Sequence, residues 1–209
     1  ALNFDKTIGN EILFKLIELK LNPTQNKIEN NYDFIMSSFD QHSFLNLLSF
    51  VDVFIQNKKY SKALKILILM VEKFNSKIEK ALIILKQAKI KAGRDNDLNR
   101  ALFLINQLKN REKIREMAVL TESDIYLNVF HNEQKYIQIL KENCQIKNSR
   151  KNLEILGDGY LRLNMFNEAS EVYIKSIKNR ENDESSFNFE IIQKLMKSLI
   201  KSHRNDDSV

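Results

Sequence analysis

Between residues 150 and 177 apolar residues recur at helical intervals on both sides of a short polar break. Leu153, Leu156, Gly157 and Tyr160 follow the i, i+3, i+4, i+7 spacing of one helix face, and Ala169 and Tyr173 resume it after Asn164 to Asn167. The pattern predicts two antiparallel helices joined by a turn at those Asn residues. Small side chains at Gly157 and Ala169 let the helix axes approach to about 8 to 10 Å, while Leu156, Tyr160 and Tyr173 fill the seam. Such a pair cannot bury both of its faces alone, so similar pairs are expected on either side.

The rest of the chain supplies them. A unit over about 44–76 takes its register from Phe50, Phe54, Tyr60, Ala63, Leu67 and Met70, with Ala63 at the helix crossing and Lys58 and Lys59 in the turn. A looser unit over about 77–110 has Ala88 at the small first-helix position, Ala101 at the crossing and a turn at Gly93 to Asp97. A degenerate unit over about 115–148 carries Tyr126 and Leu127 on its first helix and Lys135 near the crossing. The reference unit fills about 150–183, and 187–209 opens another first helix with Leu195, Leu199 and Ile200. Upstream, residues 1–21 read as the second helix of a truncated repeat, ended by Pro23. Residues 22–43 read as a polar linker rich in Asn, Ser and Gln, with Tyr32, Phe34, Ile35, Met36 and Phe39 as an apolar latch.

The succession at Leu153, Leu156, Gly157, Tyr160, Ala169 and Tyr173 resembles the tetratricopeptide pattern, lacking only its trailing Pro. The expected fold is therefore all-α: a tetratricopeptide-repeat solenoid, a right-handed superhelix of antiparallel helix pairs. Composition agrees with this. Only four Gly and one Pro occur in 209 residues, too few for the closely spaced turns of a β fold. One Cys excludes a disulfide framework, and no apolar run reaches the roughly 18 residues of a membrane span. The chain reads as cytosolic or intracellular. It opens at Ala1 without Met and in mid-pattern, which reads as a piece of a longer protein.

Charge changes the picture little. The net +6 arises from 33 basic and 27 acidic residues interspersed along the chain, a pattern closer to codon bias than to a polyanion-binding face. One local bias exists: Lys77, Lys80, Lys86, Lys89, Lys91 and Arg94 against Glu79. Lys86, Lys89 and Lys91 are candidates for a basic strip facing an acidic partner helix, a tubulin tail or a phospholipid head group; the competing reading is a solvated outer face.

Candidate chemistry is sparse. His42, His131 and His203 fall in different repeats, and one Cys provides no metal-ligand spacing, so neither a metal nor a cofactor is expected. Cys144 reads as a buried inert thiol. Gly157-Asp158-Gly159 lies inside a helix and cannot cradle phosphate; Glu168 and Glu171 belong to a solvated face. The Gly93 to Asp97 turn lacks the closing Glu of a calcium loop. A carboxylate-gripping adaptor is disfavoured because its concave positions would hold Leu48 with Asp52, Lys86 with a residue near Ile90, and Glu154 with Asp158, and two of the three present acid or apolar groups to an acidic peptide. No catalytic residues are expected.

The order of these peculiarities resembles one family more closely. KKYSKALKIL, NDLNRALFLINQL, SDIYL, LEILGDGYLRLNMFNEASEVYIKSI and KLMKSLIKSH, over about residues 44 to 203, resemble the tetratricopeptide-domain-21 family, the long tetratricopeptide subunit of intraflagellar transport complex A. The resemblance implies a non-catalytic scaffold that binds other complex A subunits, supports retrograde ciliary transport and cargo entry, and resides in cytoplasm and cilium. Two alternatives stand beside it, a cytosolic peptide-binding adaptor and an RNA-binding helical repeat. The latter would need base-reading positions at a fixed phase, which are not evident.

Overall fold

The computed structural model describes residues 14–179 and 189–206, and all regular structure among them is helical. Residues 14–21 form α1. There follow α2 (Gln25–Ser37), a 3-10 turn (Phe39–Gln41), α3 (Phe44–Gln56), α4 (Tyr60–Lys73), α5 (Lys77–Asp95) and α6 (Leu98–Lys109). The chain continues as α7 (Glu112–Asn128), α8 (Glu133–Ile146), α9 (Arg150–Arg162), α10 (Phe166–Lys178) and α11 (Phe189–Asp206). It divides into two compact units, Ala1–Ala118 and Val119–Val209, with the division inside α7.

Local chemistry starts and stops these helices at regular places. Thr24, Ser43, Asp97, Asn132 and Ser149 each accept a backbone N–H from three residues on, and Ser76 forms a reciprocal capping box with Glu79. The turns of α3/α4, α5/α6, α7/α8 and α9/α10 each contain one left-handed residue: Lys58, Asn96, His131 and Asn164, with φ of 51 to 59°. A residue in that region ends one helix and redirects the chain without lengthening the turn. The repeat is therefore written into the turn geometry as well as into the core.

In the first unit α3 packs on α4, α4 on α5, α5 on α6, and α3 directly on α5. Its core is aromatic and aliphatic, with Phe50, Val51, Phe54, Ala63, Ile66, Leu67 and Met70 all removed from solvent. In the second unit α8 packs on α9, α9 on α10 and α10 on α11, around Tyr136, Leu140, Leu153, Leu156, Tyr160, Ala169 and Tyr173.

Three expectations change. Residues 22–43 are not a linker: α2 is a capped helix whose Ile28, Asn31 and Ile35 are buried, the two isoleucines in the first core. Gln25 and Glu29 of α2 pair with Lys59 and Lys62 at the start of α4, one repeat later, which puts α2 in a second-helix position. Residues 14–21 consequently precede it rather than act as that second helix. Glu18 meets Lys27 at 2.8 Å and Lys15 lies 4.4 Å from the Phe34 ring centre, an antiparallel pairing of α1 with α2. The turn assigned to Gly93 is helical to Asp95, and that assigned to Asn164 to Asn167 ends at Met165, with Asn167 already inside α10. The spacer at 180–188 lies outside the described residues.

Candidate interaction surface

The residues that set the repeat register lie in the seams and are structural in their contacts. Phe50, Phe54, Ala63, Ala88 and Ala101 are fully buried, and Leu153, Leu156, Gly157, Tyr160, Ala169 and Tyr173 line the α9/α10 core. Tyr60 and Tyr126 are half-buried. At Gly157 an added Cβ would stand 2.6 Å from Tyr173 Cε1, so the glycine is where the aromatic ring crosses α9. The Tyr173 hydroxyl donates to Asp158 at 2.5 Å; burial and that carboxylate push its phenol far up. Gly93 plays the same part against Tyr60, whose hydroxyl would lie 2.5 Å from such a Cβ.

Solvent-facing side chains of successive first helices are tied to one another. Lys86 Nζ donates to both Asp52 carboxylate oxygens, at 2.6 and 2.8 Å, joining α5 to α3. Arg162 of α9 donates to Asp124 and Asn128 of α7 at 3.3 and 2.8 Å, and Lys194 of α11 to Asp158 of α9 at 2.9 Å. These pairs are half-exposed, so each contributes little to stability; their information is register. They also occupy the acids and bases that a carboxylate-gripping face would use.

The basic strip is not one strip. At about 100° per residue, Lys86 and Lys89 lie roughly 60° apart on α5, whereas Lys91 falls on the opposite side. Lys91 instead pairs with Asp95 at 2.9 Å, and Arg94 and Lys91 together hold that carboxyl at about 2. The solvent face shared by α3 and α5 holds Leu45, Leu48 and Asp52 on one helix and Ile78, Leu82, Lys86 and Lys89 on the other. Leu45 is 68% exposed and Ile78 46%, while Leu48 and Leu82 are half-buried against the core.

The ARM-repeat pattern of tetratricopeptide repeat protein 21 matches residues 10–143, more than half of the chain. The chain belongs to that family. The family match includes α1 and α2, the latter the stretch whose polar sequence hides a helix, and it ends before α9. A thermophilic TPR protein from Thermus thermophilus is similar in structure, with 11% identity, 91% of this chain and 98% of that chain covered, and a TM-score of 0.48. No curated protein matches the sequence.

Within this family member Cys144 and His42 are taken up by packing. Cys144 Sγ contacts the Asn152 carbonyl oxygen at 3.2 Å, and burial pushes the thiol up to about 11, so it stays protonated near neutrality. His42 is buried between Phe34 and Phe50, ring centres 5.6 and 6.3 Å away, and shares a hydrogen bond with the Ser38 hydroxyl. Burial, and then the nearby Lys73 ammonium, lower its pKa below the ordinary 6.5. His131 is a turn residue. Among the described residues no group of three or more His, Cys, Asp or Glu could hold a metal, and no helix is long and apolar enough to cross a membrane. Glu168 and Glu171 are exposed on α10.

Lys73 escapes sequence reasoning altogether. Its ammonium donates to the Phe39, Asp40 and His42 carbonyl oxygens at 3.0, 2.9 and 3.1 Å, fastening the 3-10 turn to the end of α4. Nothing local in the sequence marks it, because the acceptors are backbone groups one repeat upstream.

Proposed function

We propose that the chain is a non-catalytic scaffold segment of an intraflagellar transport complex A subunit. It acts in cytoplasm and cilium, binds other subunits of the complex, and supports retrograde transport and entry of ciliary cargo. The observation that carries this reading is membership of the tetratricopeptide repeat protein 21 family over residues 10–143. Two features support it. Antiparallel helix pairs are repeated with similar caps and turns, which presents ridged helical surfaces suited to protein partners. Cys144 and His42 are held by packing, and Asp158 is held by an ion pair with Lys194.

The test is purification of the tagged full-length protein from ciliated cells, with mass spectrometry of what accompanies it and imaging of where it resides. Stoichiometric complex A subunits and enrichment along cilia are expected. Diffuse distribution without those subunits, or particles that disperse on RNase treatment, would replace this reading with the adaptor or the RNA-binding one.

A further inference from the structure

His42 is only 2% exposed where the 3-10 turn gives way to α3, and its ring is wedged between Phe34 of α2 and Phe50 of α3. The surrounding hydrogen bonds assign its tautomer. The one hydroxyl hydrogen of Ser38 goes to the Phe34 carbonyl oxygen at 2.6 Å, so Ser38 Oγ accepts from His42 Nε2–H at 2.9 Å. Nδ1 is then left with a bare lone pair, and among the described residues it has no hydrogen-bond partner.

A proton on Nδ1 would create a donor where nothing accepts it, and a second positive charge beside a first. The charge acting on the ring is the Lys73 ammonium, which donates to the His42 carbonyl oxygen at 3.1 Å. On the α1 side Lys15 adds a further cation, 4.4 Å from the centre of the Phe34 ring. The acids of the surrounding elements do not offset them: Asp33 of α2, Asp40 of the 3-10 turn and Glu72 of α4 are exposed, and Asp52 of α3 is bound by Lys86. A buried charge without a counter-charge or an acceptor is costly, whereas water outside the slot accepts the new N–H directly.

We infer that His42 is a proton-operated latch. Neutral, its ring closes the seam between α2 and α3; on taking a proton from solvent at Nδ1 it leaves the Phe34/Phe50 slot, and the end of α2 and the 3-10 turn come away from α3. The opening is local, because the anchors further up α2 lie outside the slot: Ile28 in the core and Glu29 on Lys62. The inference goes beyond the scaffold reading and does not depend on it.

The test is amide hydrogen exchange on the whole chain at about pH 7.5 and about pH 5.5, each compared with His42→Gln at the same pH, together with NMR of the His42 ring nitrogens. A ring released to solvent titrates near the ordinary 6.5, which limits the gain in opening between those two pH values to about tenfold. Residues 34–44 are expected to lose protection about three- to tenfold more in the unaltered chain than in His42→Gln, with α9 and α10 alike in both. NMR should show Nε2 protonated and Nδ1 bare at the higher pH. In the unaltered chain alone, loss of protection should follow protonation of the ring, a readout that stands even if His42→Gln folds poorly. An equal change in both chains, a loss spread evenly into α9 and α10, a proton on Nδ1 at the higher pH, or a ring that takes up its proton while residues 34–44 stay protected would overturn the inference.

Discussion

The α3/α4 and α9/α10 pairs solve one packing problem in two ways. Where α3 has Val51 and α4 has Leu67, α9 has Gly157 and α10 has Tyr173, and all four positions are buried. At equivalent places in the repeat frame, a medium residue and a medium one stand where the other pair has a residue without a side chain under a large ring. Total volume across the seam is the shared quantity, and neither member of a pair is interchangeable alone. The second solution adds a link: the ring that covers Gly157 reaches Asp158, which also receives Lys194, so one aromatic connects α10, α9 and α11. The first solution has no such polar reach, because Leu67 carries no hydroxyl and the ion pair from Asp52 runs to α5.

The largest expected effect comes from breaking one side of this pairing. Gly157→Val would place its Cβ within 2.6 Å of Tyr173 Cε1, and we expect chemical denaturation to show a loss of about 3 kcal/mol. Val51→Gly in the other pair should also destabilise, by opening a void in the first core rather than by collision.

Lys73→Met should cost about 1 to 3 kcal/mol, because three carbonyl groups lose the ammonium while the side chain stays similar in length, and of the three Phe39 keeps the His42 N–H. Hydrogen exchange is expected to accelerate in α2 and the 3-10 turn, with α9 and α10 unaffected.

His42 gives a pH dependence of known sign. Its folded pKa lies below 6.5, so the unfolded chain takes up the proton first. The stability it contributes is complete above about pH 6.5 and falls as pH drops through that value towards the lowered folded pKa. Denaturation midpoints measured from about pH 7.5 to about pH 5 should decline in the unaltered chain and decline less in His42→Gln.

The smallest effect is a turn exchange. Lys58 adopts φ of 58°, a region that Asn enters more readily than Lys, so Lys58→Asn should stabilise by a few tenths of a kcal/mol up to about 1. Asn164→Lys should destabilise similarly. Opposite signs from one exchange in two places would sharpen the equivalence of the pairs.

Much of this frame is legible in the residue pattern, for physical reasons that also explain the failures. Gly157, Tyr160, Ala169 and Tyr173 advertise α9 and α10 because close helix crossing demands particular side-chain sizes at fixed intervals. Helix α2 is concealed: Ile28, Tyr32 and Ile35 form one thin stripe in an Asn- and Gln-rich segment, and the signal that reveals it is Thr24 as an N-cap after Pro23. Gly93 misleads because Gly-Arg-Asp-Asn-Asp is dense in turn formers; the ring of Tyr60 explains the glycine, and Asn96 makes the actual stop. The interaction face is legible only in composition. Helical angles alone separate Lys91 from Lys86, but the bond from Lys86 to Asp52 depends on residues 34 apart and emerges only once the repeats stack.

The most direct measurement is a double-mutant cycle that writes the α3/α4 solution into α9/α10: Gly157→Val, Tyr173→Leu and both together, read by chemical denaturation. A shared frame predicts that Tyr173→Leu rescues Gly157→Val, with a favourable coupling of at least about 1.5 kcal/mol and an unchanged slope of unfolding. Additive losses would mean that the two crossings are unrelated, and would contradict the account.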